Sequence, residues 1–102
     1  MRFDTGSVNV GTAGTRVQVS ALDERVVWIR FSWRSGNSTA VYVGRDDVSA
    51  SNGYELSTSN RTLELDFAKP VFGKPAGTVT FSDFYVDVAT NNDDIDWAVI
   101  LA

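Results

Sequence analysis

The densest set of oxygen ligands in the chain is Asp93-Asp94-Ile95-Asp96. Hard cations such as calcium want several carboxylate and carbonyl oxygens, and the loop tips of β-sandwiches can supply them. The loop spacing of an EF-hand is absent, however. Asp and Asn at a turn also cap and solvate exposed backbone without any metal. Asp93, Asp94 and Asp96 therefore stand as calcium candidates against a default of a solvated turn, and no cofactor is expected. Asp46-Asp47 carries the same two readings. A second chemistry is glycoside hydrolysis, which needs two carboxyl groups across a sugar cleft. Asp23, Glu24, Glu55, Glu64, Asp66 and Asp87 are the available groups. Most fall on outward strand positions or at turns, where solubility accounts for them. The chain has 0 histidines and 0 cysteines. It thus lacks the commonest general base, the commonest transition-metal ligand, and any disulfide or thiolate site. No catalytic residue is assigned, and the chain is read as a non-enzyme.

Binding chemistry has more support. Trp28, Tyr42 and Tyr85 fall opposite the apolar faces of their strands, and Arg30 and Arg34 share the face of Trp28. Trp, Tyr and Arg are the types enriched at binding hot spots. Near the N-terminus, Phe3, Val8 and Val10 are the apolar anchors of a Gly-, Ser- and Thr-rich stretch. These eight residues are the candidates for a protein interface. Three alternatives remain open for the aromatic face: contact with another protein or an identical subunit, cover by a loop of the same chain, and stacking on sugar rings.

Alternation along the chain says which elements would carry these residues. In 26–34, Val27, Ile29, Phe31 and Trp33 share one face, read as core; Trp28, Arg30, Ser32 and Arg34 share the other, with Val26. Period-2 patterning with β-branched and aromatic residues marks a half-buried strand. Similar segments run over 16–20, 41–43, 54–56, 62–67, 84–88 and 95–101, with a further short one at 78–81. Leu63, Leu65 and Phe67 point inward, as do Phe84, Val86 and Val88, and Ile95, Trp97, Val99 and Leu101. Residues 40–56 form the organising unit: a strand, a charged corner, and a second strand. Asn52-Gly53 reads there as a tight turn with positive φ. Residues 68–77 hold both prolines and read as a loop, with Phe72 as an apolar tuck.

A chain of 102 residues is one domain on the usual prior. Hydrophobic residues are 43% and charged residues 22%, as in ordinary globular proteins. The expected fold is all-β: a single-domain, jelly-roll-like β-sandwich of about eight short antiparallel strands. Residues 1–14 form an extended N-terminal arm or an edge strand, and residues 15–102 form the sandwich. Strand order is not readable from one sequence. A net charge of −4 argues against a nucleic-acid footprint, and no apolar run is long enough for a membrane span. Without a leader pattern at Met1-Arg2-Phe3-Asp4, the expectation is synthesis in a cytoplasm. The sequons at Asn37 and Asn60 then read as chance.

An ordered set of segments carries a resemblance. Arg16-Val17-Gln18-Val19 is followed by Val41-Tyr42-Val43-Gly44, then by Val48 to Leu56, Phe84-Tyr85-Val86-Asp87-Val88, and Asp96-Trp97-Ala98-Val99. This resembles the small β-rich structural proteins of tailed bacteriophages. The likeness covers most of 16–101 and keeps its order. Residues 68–77 are longer than that pattern expects, and 1–14 lie outside it. The resemblance implies a virion component, a decoration (cement) protein on the capsid surface, made in the host cytoplasm. Its partners would be the major capsid protein and further copies of itself, with a homotrimer favoured. The alternative is a tail, fibre or other carbohydrate-binding β-sandwich module.

Overall fold

A computed structural model describes residues 2–67 and 78–102. Seven of the alternating segments become strands and residues 2–10 add another, giving among the described residues β1 (Arg2–Val10), β2 (Val17–Gln18), β3 (Val26–Trp33), β4 (Val41–Gly44), β5 (Tyr54–Leu56), β6 (Thr62–Asp66), β7 (Tyr85–Val88) and β8 (Asp93–Leu101). They form two four-stranded sheets, ordered β1-β8-β3-β6 and β2-β7-β4-β5. Every pairing is antiparallel. The chain is all-β and folds as a two-sheet sandwich. The order follows from one long hairpin rolled into two layers: β1 pairs with β8, β2 with β7, β3 with β6, and β4 with β5. Contacts of β8 with β3 and of β7 with β4 then complete the sheets.

The core lies between the sheets. Ile29, Phe31 and Trp33 of β3 and Ile95, Val99 and Leu101 of β8 face Val41 and Val43 of β4, Leu56 of β5, and Val86 and Val88 of β7. Phe84 is fully buried, with its ring 5.5 Å from Phe31 and 6.0 Å from Phe67. Leu63 and Leu65 close one side and remain partly exposed. The inward sets read for 62–67 and 84–88 are thus the ones the fold buries.

Four local expectations are corrected. First, the alternation in β3 breaks at its start. Val26 is 2% exposed and Val27 is 37% exposed, the reverse of the sequence reading. Val26 pairs with Leu101 and Trp28 with Ile100, so Val27 is an extra residue in a β-bulge. Second, residues 2–10 are an edge strand of the same sandwich, paired with β8 along its whole length. Val8 and Val10 sit in the core at 8% and 0% exposure, and are not free for a neighbouring subunit. Third, Phe81 opens a 3-10 turn, Phe81–Asp83, instead of ending a strand. The backbone N–H of Thr80 donates to Asp83 Oδ2 at 2.8 Å and fixes that turn. Fourth, Trp97 is only partly buried. Its ring stacks edge-on against Phe81 at 4.9 Å, and it lies so close to Gly6 that a Cβ there would collide with the indole. The expected tuck of Phe72 lies outside the described residues.

Two predictions follow from this packing. Val26→Ala should cost about 2 kcal/mol, for two buried methyls and the cavity they leave. Val27→Ala should stay within about 0.5 kcal/mol. Urea unfolding of both variants measures the difference; equal losses would place the bulge elsewhere. Gly6→Ala should destabilise by roughly 1–3 kcal/mol through overpacking against Trp97. An unchanged urea midpoint would show that the indole moves aside.

Candidate functional site

The outer faces of the two sheets differ. On β4, Tyr42 points away from the core yet is 8% exposed. The segment 45–53 folds back over it. Val48, the one large aliphatic residue in that corner, is 1% exposed and packs down onto the sheet. Glycine makes the approach possible. A Cβ on Gly44 would lie 2.9 Å from Val48 Cγ2, and one on Gly53 would lie 2.8 Å from the same atom and 2.9 Å from Tyr42 Cβ. Gly53 has no positive φ, so its role here is close approach and not the tight-turn geometry expected of Asn52-Gly53. The positive-φ Asn is Asn92, at φ 68°, in the turn that leads into β8. Tyr42 is therefore removed from the interface candidates by cover from its own chain. Tyr85 is partly buried on the same layer.

Among the described residues, no loop covers the outer face of the other sheet. Its register sets out rows across the strands. Phe3, Ile100, Trp28 and Asp66 form one row. Thr5, Ala98, Arg30 and Glu64 form the next, and Ser7, Asp96, Ser32 and Thr62 a third. Phe3 is 64% exposed, while Ile100 and Trp28 are partly exposed. The first row is thus an apolar band at one end of the face. Small side chains in the middle rows leave a shallow groove of about 390 Å³, flanked by Arg30 and Arg34. Arg30 is held loosely by Glu64 at 3.7 Å.

The opposite end of the face is polar and closed on itself. Arg34 donates to both oxygens of Asp96 and to Asp94 Oδ2 at 3.2 Å. The hydrogen bond and charge of Asp96 raise the guanidinium pKa above its ordinary value. Asn9 Nδ2 donates to Asp94 Oδ1 at 2.6 Å. Asn37 makes a reciprocal pair with the Asp94 backbone, donating to its carbonyl at 2.6 Å and accepting its N–H at 2.7 Å. Asp93 is 4% exposed and accepts the backbone N–H groups of Ser38 and Thr39 at 2.9 and 3.0 Å, one on each oxygen. The three calcium candidates are engaged by the protein itself. Among the described residues, no group of three or more His, Cys, Asp or Glu is placed to hold a metal.

The other carboxylates also have local duties. Glu24 pairs with Arg2 at 3.1 Å, and Asp23 accepts from Ser82 Oγ at 2.6 Å. Asp87 differs: it is 3% exposed on β7, next to Tyr42 in register, beneath the loops that cover this face. An outward strand position suggested solvent, and no local pattern marks the loops that arrive from elsewhere. Of the interface candidates, Phe3, Trp28, Arg30 and Arg34 stay accessible on one face, and Tyr85 stays partly accessible on the other sheet. The groove beside Arg30 and Arg34 holds a single carboxylate, Asp96, already bound by Arg34. No family model, curated protein or solved structure matches the chain.

Asp93→Ala should cost roughly 1.5–3 kcal/mol, because two amides would lose a charged acceptor. Thermal melts of the wild-type chain with calcium and with a chelator should coincide. A clear rise with calcium would return Asp93, Asp94 and Asp96 to the role of metal ligands.

Proposed function

We propose that the chain is a non-enzymatic structural protein of a bacteriophage virion, a decoration protein that binds the capsid exterior and stabilises it. The observation that carries this reading is the uncovered sheet face with its apolar band of Phe3, Ile100 and Trp28 beside Arg30. An aromatic and an aliphatic anchor beside a loosely held arginine is hot-spot chemistry for a protein partner. The ordered likeness to small phage structural proteins and the rolled-hairpin winding of the two-sheet sandwich support it further. Attachment to a symmetric shell needs only modest contacts per copy, because many linked contacts act together through avidity. A self-associating trimer seated on the shell would gather three such faces.

A second reading, a carbohydrate-binding module of a tail or fibre, is favoured only by the pairing of Trp28 with Arg30. Trp28 is flanked in register by Ile100 and Asp66, which leaves less of its ring free as a platform for a sugar.

Light scattering at several concentrations should give a trimer for the wild-type chain and for Trp28→Ala, while Trp28→Ala should bind assembled particles more weakly. Particles assembled with and without the chain should then differ in heat resistance. A protein inventory of virions that lacks the chain would overturn the reading. Glycan binding lost in Trp28→Ala would favour the module instead.

A further inference from the structure

A second open site lies on the other sheet, between its two covering loops. A cleft of about 660 Å³ is walled by Ala13 and Gly14 on one side, by 49–51 on the other, and floored by Asp87 to Ala89 of β7 and its end. The walls are small and mostly apolar. Among the described residues, the one ionisable side chain lining it is Asp87. Asp87 is 3% exposed, and its Oδ1 accepts the Gly14 N–H at 3.0 Å and the Val88 N–H at 2.8 Å. Its Oδ2 has no bond to any described residue. The serine hydroxyls beside it are occupied with each other, Ser49 Oγ lying 3.2 Å from Ser51 Oγ. Among the described residues, no basic side chain lines the cleft. Among the described residues no cation pairs with this nearly buried carboxylate, whereas buried charges are ordinarily paired.

We propose that this cleft binds a primary alkylammonium group, as carried by a lysine side chain. The ammonium would donate to Asp87 Oδ2 in a charge-assisted hydrogen bond. The alkyl stem would lie along Ala13, Ala50 and Ala89, as lysine stems do on apolar surface. The site is independent of the uncovered sheet face, so either can fail without the other.

The test is an amide-shift titration by NMR on the full chain, with N-acetyl-lysine N-methylamide as probe. Saturable shifts should cluster at Ala13, Gly14, Ser49 to Ser51, Val88 and Ala89. The norleucine analogue, which lacks the charge, should bind about tenfold or more weakly. Asp87→Asn keeps an acceptor for the Gly14 amide and should show the same loss. Should that variant fail to fold, Ser51→Leu at the exposed rim fills the cleft and should abolish the shifts. Absent saturable shifts would overturn the proposal, as would equal binding of the norleucine analogue or equal binding by Asp87→Asn. Butylammonium distinguishes the source. Binding as tight as the lysine probe points to a free amine, and weaker binding points to a lysine held in a peptide.

Discussion

The pairing of the chain's last strand with its first governs this fold. β8 lies between β1 and β3, and its residues Asp93 to Leu101 pair with Val10 to Arg2 in strict order. Removing β8 would separate β1 from the rest of its sheet and open the core beneath Ile95, Val99 and Leu101. The rolled-hairpin order makes this unavoidable: the outermost pair joins the two ends of the sequence. Such non-local closure costs chain entropy before contacts repay it, so folding is expected to be slow for the size. The polar cluster at the turn into β8 helps hold that closure. Asn9 on β1, Arg34 at the end of β3, and Asn37 beyond it all converge on Asp94.

Once the sandwich closes, what distinguishes its faces is loop cover. One sheet receives the corner 45–53, because Val48 has somewhere apolar to go and because Gly44 and Gly53 let it approach. The other sheet receives nothing among the described residues. The uncovered face is graded along its strands: at one end Arg34 satisfies two carboxylates, and at the other Phe3, Ile100 and Trp28 meet solvent. Charges already paired within the chain contribute little to a partner, since an incoming group must first replace existing bonds. Apolar area still in water contributes on contact.

The sequence was most legible where side-chain alternation decides burial. The inward sets of β6 and β7, the central part of β3, and most of β8 follow directly from period-2 patterning. Val26 and Val27 were reversed because a bulge changes parity without leaving a mark in residue type. For Val8 and Val10 the sequence leaves contact with a neighbour and burial in an edge strand both open, because an edge strand and a free arm share one composition. Tyr42 and Asp87 failed for another reason. Alternation reports which side of a strand a residue occupies, but not what lies over that side, and their cover arrives from loops distant in sequence. The acidic turn was legible as a turn, yet its geometry came from Asn92 and its internal bonding from Arg34, Asn9 and the 38–39 backbone.

Trp97 shows how far residue type can mislead about packing quality. It lies on the inward side as alternation requires, but its Nε1 is buried with no hydrogen-bond partner among the described residues. An indole N–H in that state forfeits part of what burial of the ring contributes. Its neighbour Gly6 offers no side chain to pack against, only space for the ring to lie across β1. The sandwich is therefore less perfectly filled at this edge than around Phe84, where three phenyl rings interlock. The same strand β1 carries Phe3 outward on the uncovered face. Its N-terminal half is thus held mainly by backbone pairing to β8, with few core side chains of its own. A partner that covers Phe3 would add to the binding contact and would also clamp the edge strand on which closure of the whole sandwich depends.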